Sequence, residues 1–270
     1  TQTVNMISPL ADISPDAKLG NNVKVDPFVV IHKGVSIGDD THIMSGAVIM
    51  SGSLIGKGCQ IFPGAVVGAI PQDLKYAGET TTVEIGDYTT IRECVTINKG
   101  TQDKWKTVIG SHCLLMAYVH IAHDCKLGDH VILANGVQLA GHVDVGDYAI
   151  VGGLAGVAQF SRIGAHTYVA GQTAINKDVP PYIKAGRTPI SFAGVNSVGL
   201  QRRGFSNEAI NGILEVYRTI YNKGLNTSQA MEFVKNQLPA SQEKDIILSF
   251  IAESKRGIVK LLSKADLDEN

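Results

Sequence analysis

The sequence predicts a mainly β fold: a parallel β-helix of the hexapeptide-repeat type, a triangular prism followed by a C-terminal α-helical domain, with the left hand expected from known helices of this type. Three observations carry that prediction. The first is a period of six. From Ile7 the chain reads "ISPLAD ISPDAK LGNNVK VDPFVV IHKGVS IGDDTH IMSGAV IMSGSL IGKGCQ IFPGAV VGAIPQ", and each of these eleven blocks opens with Ile, Leu or Val. The phase returns at Ile85 for three blocks and at Ile109 for twelve more, ending at Pro180. The second is the fifth place of each block, nearly always Ala, Val, Thr, Ser or Cys. The third is composition: 29 Gly and only 6% aromatic residues suit a chain of short strands and tight corners.

Each element follows from the period. Side chains alternate across a strand, so a large residue at place one and a small one at place five both point inward. Three short strands joined by corners make one 18-residue coil, and coils stack at about 4.8 Å, the spacing of paired strands. Aliphatic leaders form ladders in the interior, and the small fifth residues leave them room. Cys59, Cys94, Cys113 and Cys125 all fall at places four or five and are read as small core residues. Known hexapeptide helices coil left-handed, against the usual crossover rule; the period itself does not carry the hand.

Two segments break the frame. Residues 71–84 lack leaders at 73 and 79, and residues 101–108 lack one at 103. Both are expected as loops pushed out of the coil, where function tends to sit on a rigid scaffold. The prism is expected over 1–190 and the helical domain over 191–270. After Pro180–Pro181, Ser206 is a good N-cap. Ile210, Ile213, Leu214, Tyr217, Ile220 and Tyr221 keep helical spacing, and Gly224 is a stop. Further helices are expected near 228–238 and 241–262. Such a tail would cover the open edge of the last coil.

Charge excludes some functions. With 24 Lys and Arg against 25 Asp and Glu, the net charge is −1, which gives no case for nucleic acid or an anionic membrane. No apolar run approaches the roughly 18 residues of a membrane span. The opening "TQTVNMISPLAD" has neither a basic nor an apolar leader, so no signal peptide is expected. Without CxxC pairs, the cysteines suit a reducing cytoplasm.

The period also assembles a site. Residues 119–125 read "VHIAHDC". Eighteen-residue steps set His123 beside Gly141 and Gln159, and Asp124 beside His142 and Phe160. His120 leads into the same face. Outward places tolerate polar residues, so stacking alone is weak: His112, His130 and His166 also form a column, with Tyr148 between. What separates His123 is its adjacent acid and the bare glycine. A histidine near neutrality takes a proton from a hydroxyl, and an acid holds its tautomer. The Gly141 N–H would steady an oxyanion. No Ser or Cys is placed as nucleophile, which favours direct transfer to a bound hydroxyl. Asn135, Gly153 and Gly171 strip another face of side chains, either for an apolar chain or as turn chemistry.

Several stretches resemble one family. "IPQDLKYAGE" (70–79), "IRECVTINKG" (91–100), "HIAHDC" (120–125), "LAGHV" (139–143), "DVPPY" (178–182) and "GVNSVGLQRRGFS" (194–206) are similar to the UDP-N-acetylglucosamine O-acyltransferases. The resemblance spans almost the whole chain. It implies transfer of a 3-hydroxyacyl group from acyl carrier protein to the glucosamine 3-OH of UDP-N-acetylglucosamine, the first step of lipid A synthesis. Carried over by motif, His123 is the general base, Asp124 its orienting partner and Gly141 the oxyanion donor. Asp73 and Lys75 would touch the sugar and phosphate region, and His120, His142 and Gln159 would line the site. Gly153 and Gly171 would border the acyl groove. Asn196, Arg202 and Arg203 would meet the nucleotide, where arginine forks suit diphosphate. The resemblance implies a homotrimer with sites between neighbouring prisms, and no metal or other cofactor. The chain departs from the family's usual pattern at Ala158, where a His precedes the Gln, at Val198, where a Glu is common, and in "IKAGRTPISFAG". Those departures bear on acyl length and on whether the acceptor is the ordinary or a 3-amino sugar. Three other readings stand beside this one. They are the sister N-acyltransferase, whose N-terminal uridine-binding domain has no room before Ile7; a γ-type carbonic anhydrase with His120, His123 and His142 on zinc; and a non-catalytic prism.

Overall fold

A computed structural model describes residues 4–262. It is a left-handed parallel β-helix with a helical C-terminal region. Three sheets of eleven, nine and eight strands, parallel but for the last strand of the first, form the faces of the prism. The first sheet begins with Met6–Ile7 and Lys24–Val25, the second with Asp12–Ile13 and Val30–Ile31, the third with Lys18–Leu19 and Ser36–Ile37. Register follows the 18-residue coil, as in Ile121↔Leu139↔Val157↔Ile175. The leaders make the core ladders, and Ile43, Ile61, Ile91, Leu115 and Leu133 are fully buried. Place five is as closed: Val23, Val29, Ala47, Ala65 and Val131 have no exposed surface.

The corners explain place four. The backbone turns there through the left-handed region, at Asn22, Phe28, Gly34 and Asp40 and then at every sixth residue while the frame lasts. A left-handed residue points its side chain outward, which corrects the reading of Cys94. It sits at a corner with φ 55° and is exposed, whereas Cys59, Cys113 and Cys125 at place five are buried. Burial pushes the Cys59 and Cys113 thiols up to about 11 and Cys125 to about 12, so all three stay protonated and inert.

Both interruptions leave the same corner. The prism edge after the second sheet carries Gly34 and Gly52, and later Asp124, His142 and Phe160. In the two coils between, that edge is replaced by chain running from Ala69 to Thr82 and from Asn98 to Lys106. The pairing step becomes 30 residues across the first insertion (Val66↔Thr96) and 24 across the second (Thr96↔His120). The second extrusion is shorter than the 101–108 expected, because Lys106–Ile109 already pairs in the third sheet.

The last coil is closed by packing. Ile183–Gly186 extends the first sheet in parallel, and Ser191–Val195 adds an antiparallel strand. Four helices follow: α1 (Ser197–Arg202), α2 (Asn207–Asn222), α3 (Thr227–Gln237) and α4 (Gln242–Ala252). The Ser206 side chain caps α2 by accepting from Ala209 N. Ile210, Ile213, Val216, Tyr217 and Ile220 form its buried face, continuous with the core of the prism. Tyr217 is fully buried, and its hydroxyl donates to Pro181 O at 2.6 Å. The helix expected over 241–262 ends at Ala252. Gly257, at φ 75°, turns the chain so that Ile258 and Lys260 pair with Asp178 and Ser191 as isolated bridges.

Candidate active site

The second sheet and the first extruded loop flank an open cavity of about 890 Å³. Its floor is the outer face of the second sheet, at His120, Gln138 and Gly156. Gln72, Asp73, Leu74 and Lys75 of the loop form one wall, and His123, Gly141 and Gln159 of the corner form the end. Seven residues singled out in the sequence therefore meet here or directly behind: Asp73, Lys75, His120, His123, Gly141 and Gln159 line it, and Asp124 backs His123.

The repeat places each of them. His123 is at place three and Asp124 at place four of one block, so Asp124 takes the left-handed corner (φ 60°) and folds back beneath its neighbour. His123 Nδ1 lies 2.8 Å from Asp124 Oδ2. Asp124 has no exposed surface, and His123 is 6% exposed, through the cavity. Burial pushes the Asp124 carboxyl up, but hydrogen bonds from Thr101 and His123 outweigh it and hold the group below the ordinary carboxylate range. An ionised Asp124 accepts the Nδ1 proton, and that leaves Nε2 bare toward the cavity. Asp73 Oδ2 faces Nε2 at 3.9 Å. Its other oxygen is tied to Lys75 N at 3.0 Å, which fixes the carboxylate's direction.

Gly141 lies one coil further along. A Cβ there would stand 2.6 Å from His123 Cε1 and 2.7 Å from Nε2, so only glycine lets the imidazole occupy this position. At the edge after the third sheet, place-three carboxylates one coil on accept the equivalent N–H groups: Asp39 from Asn21, Asp129 from Ser111, Asp147 from Asp129. Gln159 makes no such bond, and the Gly141 N–H finds no acceptor among the described residues. An open N–H on a residue that lies against the His123 ring is what an oxyanion contact beside that imidazole would need.

The other imidazoles differ from His123. His120 Nδ1 bonds Thr96 Oγ1 at 2.7 Å, and burial pushes its pKa down. His142 lies edge-on to His123 with ring centroids 5.1 Å apart and stacks on Phe160 at 4.5 Å. Burial lowers its pKa as well, with Asp124 pulling the other way. Its Nδ1 faces Asp103 Oδ2 at 3.3 Å and its Nε2 faces Asp124 Oδ2 at 3.6 Å. His123, Asp124 and His142 each present a possible metal-ligand atom within 4.8 Å of the others.

Five expected residues lie elsewhere. Gly153 and Gly171 stack on one another at the opposite edge of the second sheet, next to Leu154 and Gln172. Asn196, Arg202 and Arg203 gather at the remaining edge. There Asn196 Nδ2 donates to His166 O at 3.0 Å, and Arg203 Nη2 donates to Tyr148 O at 3.1 Å. Burial lowers the pKa of Arg203, whose Nη1 is buried without a partner. One chain does not bring these three to His123. Sequence reasoning missed Thr101 and Lys104, which donate to Asp124 from the second loop, and Asp103, whose carboxylate faces His142. No signal in the repeat could have found them, because the loop lies outside its frame.

Fold and site together define a hexapeptide-repeat transferase, and the comparisons agree. A model for bacterial transferase hexapeptide repeats matches residues 16–51, 34–69 and 106–141. A model for domain 2 of UDP-N-acetylglucosamine O-acyltransferase matches residues 178–259. The acyl-[acyl-carrier-protein]–UDP-N-acetylglucosamine O-acyltransferase of Sulfurihydrogenibium sp. is 54% identical over 262 residues, covering 97% of both chains. Its counterpart in Chlorobaculum tepidum is 54% identical over 247 residues, covering 91% of this chain and 94% of the other. Among solved structures, the UDP-N-acetylglucosamine acyltransferase of Bacteroides fragilis superposes with a TM-score of 0.93 at 51% identity, covering 94% of this chain and all of that one. The chain belongs to the acyl-[acyl-carrier-protein]–UDP-N-acetylglucosamine O-acyltransferase family, and it is an acyltransferase.

Proposed function

We propose that the chain transfers a 3-hydroxyacyl group from acyl carrier protein to the glucosamine 3-OH of UDP-N-acetylglucosamine, the first step of lipid A synthesis, by general-base catalysis with His123. The observation that supports the mechanism is a His123 ring whose Nδ1 meets Asp124, packed against Gly141, whose own N–H is open, at the end of one groove. The sugar hydroxyl lies against Nε2. Its proton passes to His123 as its oxygen attacks the thioester carbonyl, and the Gly141 N–H donates to the oxyanion. Collapse breaks the C–S bond, and the proton on His123 leaves with the thiolate. Asp124 holds the ring through both transfers. Asp73, Lys75, His120, His142 and Gln159 position the sugar nucleotide, and the small residues along the second sheet, toward Gly153 and Gly171, accommodate the acyl chain.

We infer that the working unit is a cytoplasmic homotrimer. Asn196, Arg202 and Arg203 sit on a different edge from His123, so a neighbouring prism would bring them to the nucleotide. The outer face of the first sheet carries an in-register apolar stripe, Leu114, Ile132, Ile150 and Tyr168, that suits such a contact. No helix among the described residues is long and apolar enough to cross a membrane.

The test is an acyl-transfer assay with UDP-N-acetylglucosamine, its 3-amino analogue and a panel of 3-hydroxyacyl carrier proteins. His123→Ala should lose most of the roughly 10²–10⁴ that a general base contributes. Asp124→Asn should lose less, because Asp124 only orients the base. Transfer that survives His123→Ala refutes the base, and a larger loss from Asp124→Asn refutes the division of labour. The carbonic anhydrase reading, which needs His120, His123 and His142 on zinc, is not favoured: the ligand atoms that lie within 4.8 Å of one another belong to His123, Asp124 and His142.

A further inference from the structure

We propose that Thr101, on the second extruded loop, is a positioning residue for the reaction: its hydroxyl fixes Asp124 and, through it, the tautomer of His123. This rests on the His123 reading above. A buried carboxylate needs every lone pair engaged, or it takes up a proton or turns away. The loop supplies those partners. Asp124 Oδ1 accepts from Thr101 N at 3.0 Å and Lys104 N at 3.3 Å. Asp124 Oδ2 accepts from the Thr101 hydroxyl at 2.6 Å, and the same oxygen meets His123 Nδ1 at 2.8 Å. Below, Thr107 Oγ1 accepts from Asp124 N at 2.9 Å and pins the corner itself.

The direction of the Thr101 hydroxyl is set. Asp103 N donates to Thr101 Oγ1 at 3.3 Å, so the oxygen is already an acceptor and its proton is free for Asp124. A polarised row results: Asp103 N–H to Thr101 Oγ1, Thr101 O–H to Asp124 Oδ2, and His123 Nδ1–H to the same Oδ2. With Oδ2 accepting from both sides, the imidazole proton stays on Nδ1 and Nε2 stays bare. Thr101 is itself buried, and it is not among the residues that line the cavity. It acts through Asp124 alone. The Asp103 carboxylate facing His142 extends the loop's hold to the second imidazole.

The experiment compares Thr101→Val, which keeps the shape and removes the hydroxyl, with Thr101→Ser, which keeps the hydroxyl. For Thr101→Val, kcat should fall about tenfold, inside the roughly 10²–10⁴ of the base itself. KM for the sugar nucleotide should move by less than about twofold. The acid limb of the kcat–pH profile should shift to higher pH. Loss of the donor lets Asp124 protonate more readily, or leaves more of its charge to stabilise a protonated His123, and both disable the base sooner as pH falls. Thr101→Ser should restore both rate and profile. A Thr101→Val enzyme within about twofold of wild type across pH, or a Thr101→Ser enzyme equally impaired, overturns the proposal. If Thr101→Val does not fold, ¹⁵N NMR of histidine-labelled wild type and Thr101→Ser decides. A His123 proton on Nδ1 in both supports it, and a proton on Nε2 overturns it. Activity persisting in His123→Ala would instead remove the base on which this inference depends.

Discussion

At residue scale the site depends on a missing side chain. Gly141 lets the His123 ring lie where a Cβ would stand at 2.6 Å. Gly141→Ala should therefore leave the fold intact, since the clash is with the end of one side chain. The imidazole must swing, and a displacement near 1 Å can cost about 10²-fold in rate. We expect kcat to fall at least tenfold with an unchanged melting temperature, measured by steady-state kinetics and thermal unfolding; full activity would show that His123 works from another position. This contact was legible beforehand, because a fixed 18-residue step sets residue 123 against 141. The hold on Asp124 was not. Thr101 and Asp103 lie in a stretch with no leader, and a period has nothing to say about residues outside it.

At element scale the corners combine strain with compensation. Non-glycine residues in the left-handed region cost roughly 1–2 kcal/mol each. Along one edge of the prism that cost falls on Tyr88, His112, His130, Tyr148, His166 and Tyr182, whose rings stack with centroids 4.4 to 5.7 Å apart. Aromatic contacts of this kind contribute about 0.5–1.5 kcal/mol beyond area burial. The column of histidines therefore has a structural explanation. It also has a pH signature. Burial, reinforced by Arg203, pushes His166 down from 6.5 to about 4. The unfolded chain takes up that proton near 6.5 and the folded chain only near 4. The stability due to the neutral ring is thus complete above 6.5 and is lost as pH falls from 6.5 toward 4. His166→Phe keeps the stack and removes the proton, so its melting temperature should fall less over that window; an unchanged slope would place the acid sensitivity elsewhere. The tail was read less well than the coils. Helical spacing and Ser206 located α2, but apolar residues beyond Ala252 extended the expected last helix through a segment that Gly257 turns into bridges.

At the scale of the whole molecule, the prism's three edges divide the proposed labour. One carries His123, another Gly153 and Gly171, the third Asn196 and Arg203. If three copies close into a ring, each site takes its base from one chain and its arginines from the next. Co-expression of His123→Ala with an Arg202→Ala/Arg203→Ala double variant should then restore activity to roughly a quarter of wild type, the fraction of randomly mixed sites holding both intact halves. An inactive mixture would confine each site to one chain. The sequence pattern made the coils and faces legible from end to end, because every block repeats the same local physics. It did not show that the two interruptions share an edge, since that follows from counting corners rather than leaders.

That shared edge bears on how such a catalyst can arise. Lengthening a corner changes neither the ladder above nor the ladder below, and each doubling of a connection costs only about 0.6 kcal/mol in closure entropy. New chemistry can accordingly be grown outward from a finished scaffold, coil by coil, while the interior goes on obeying its old rules.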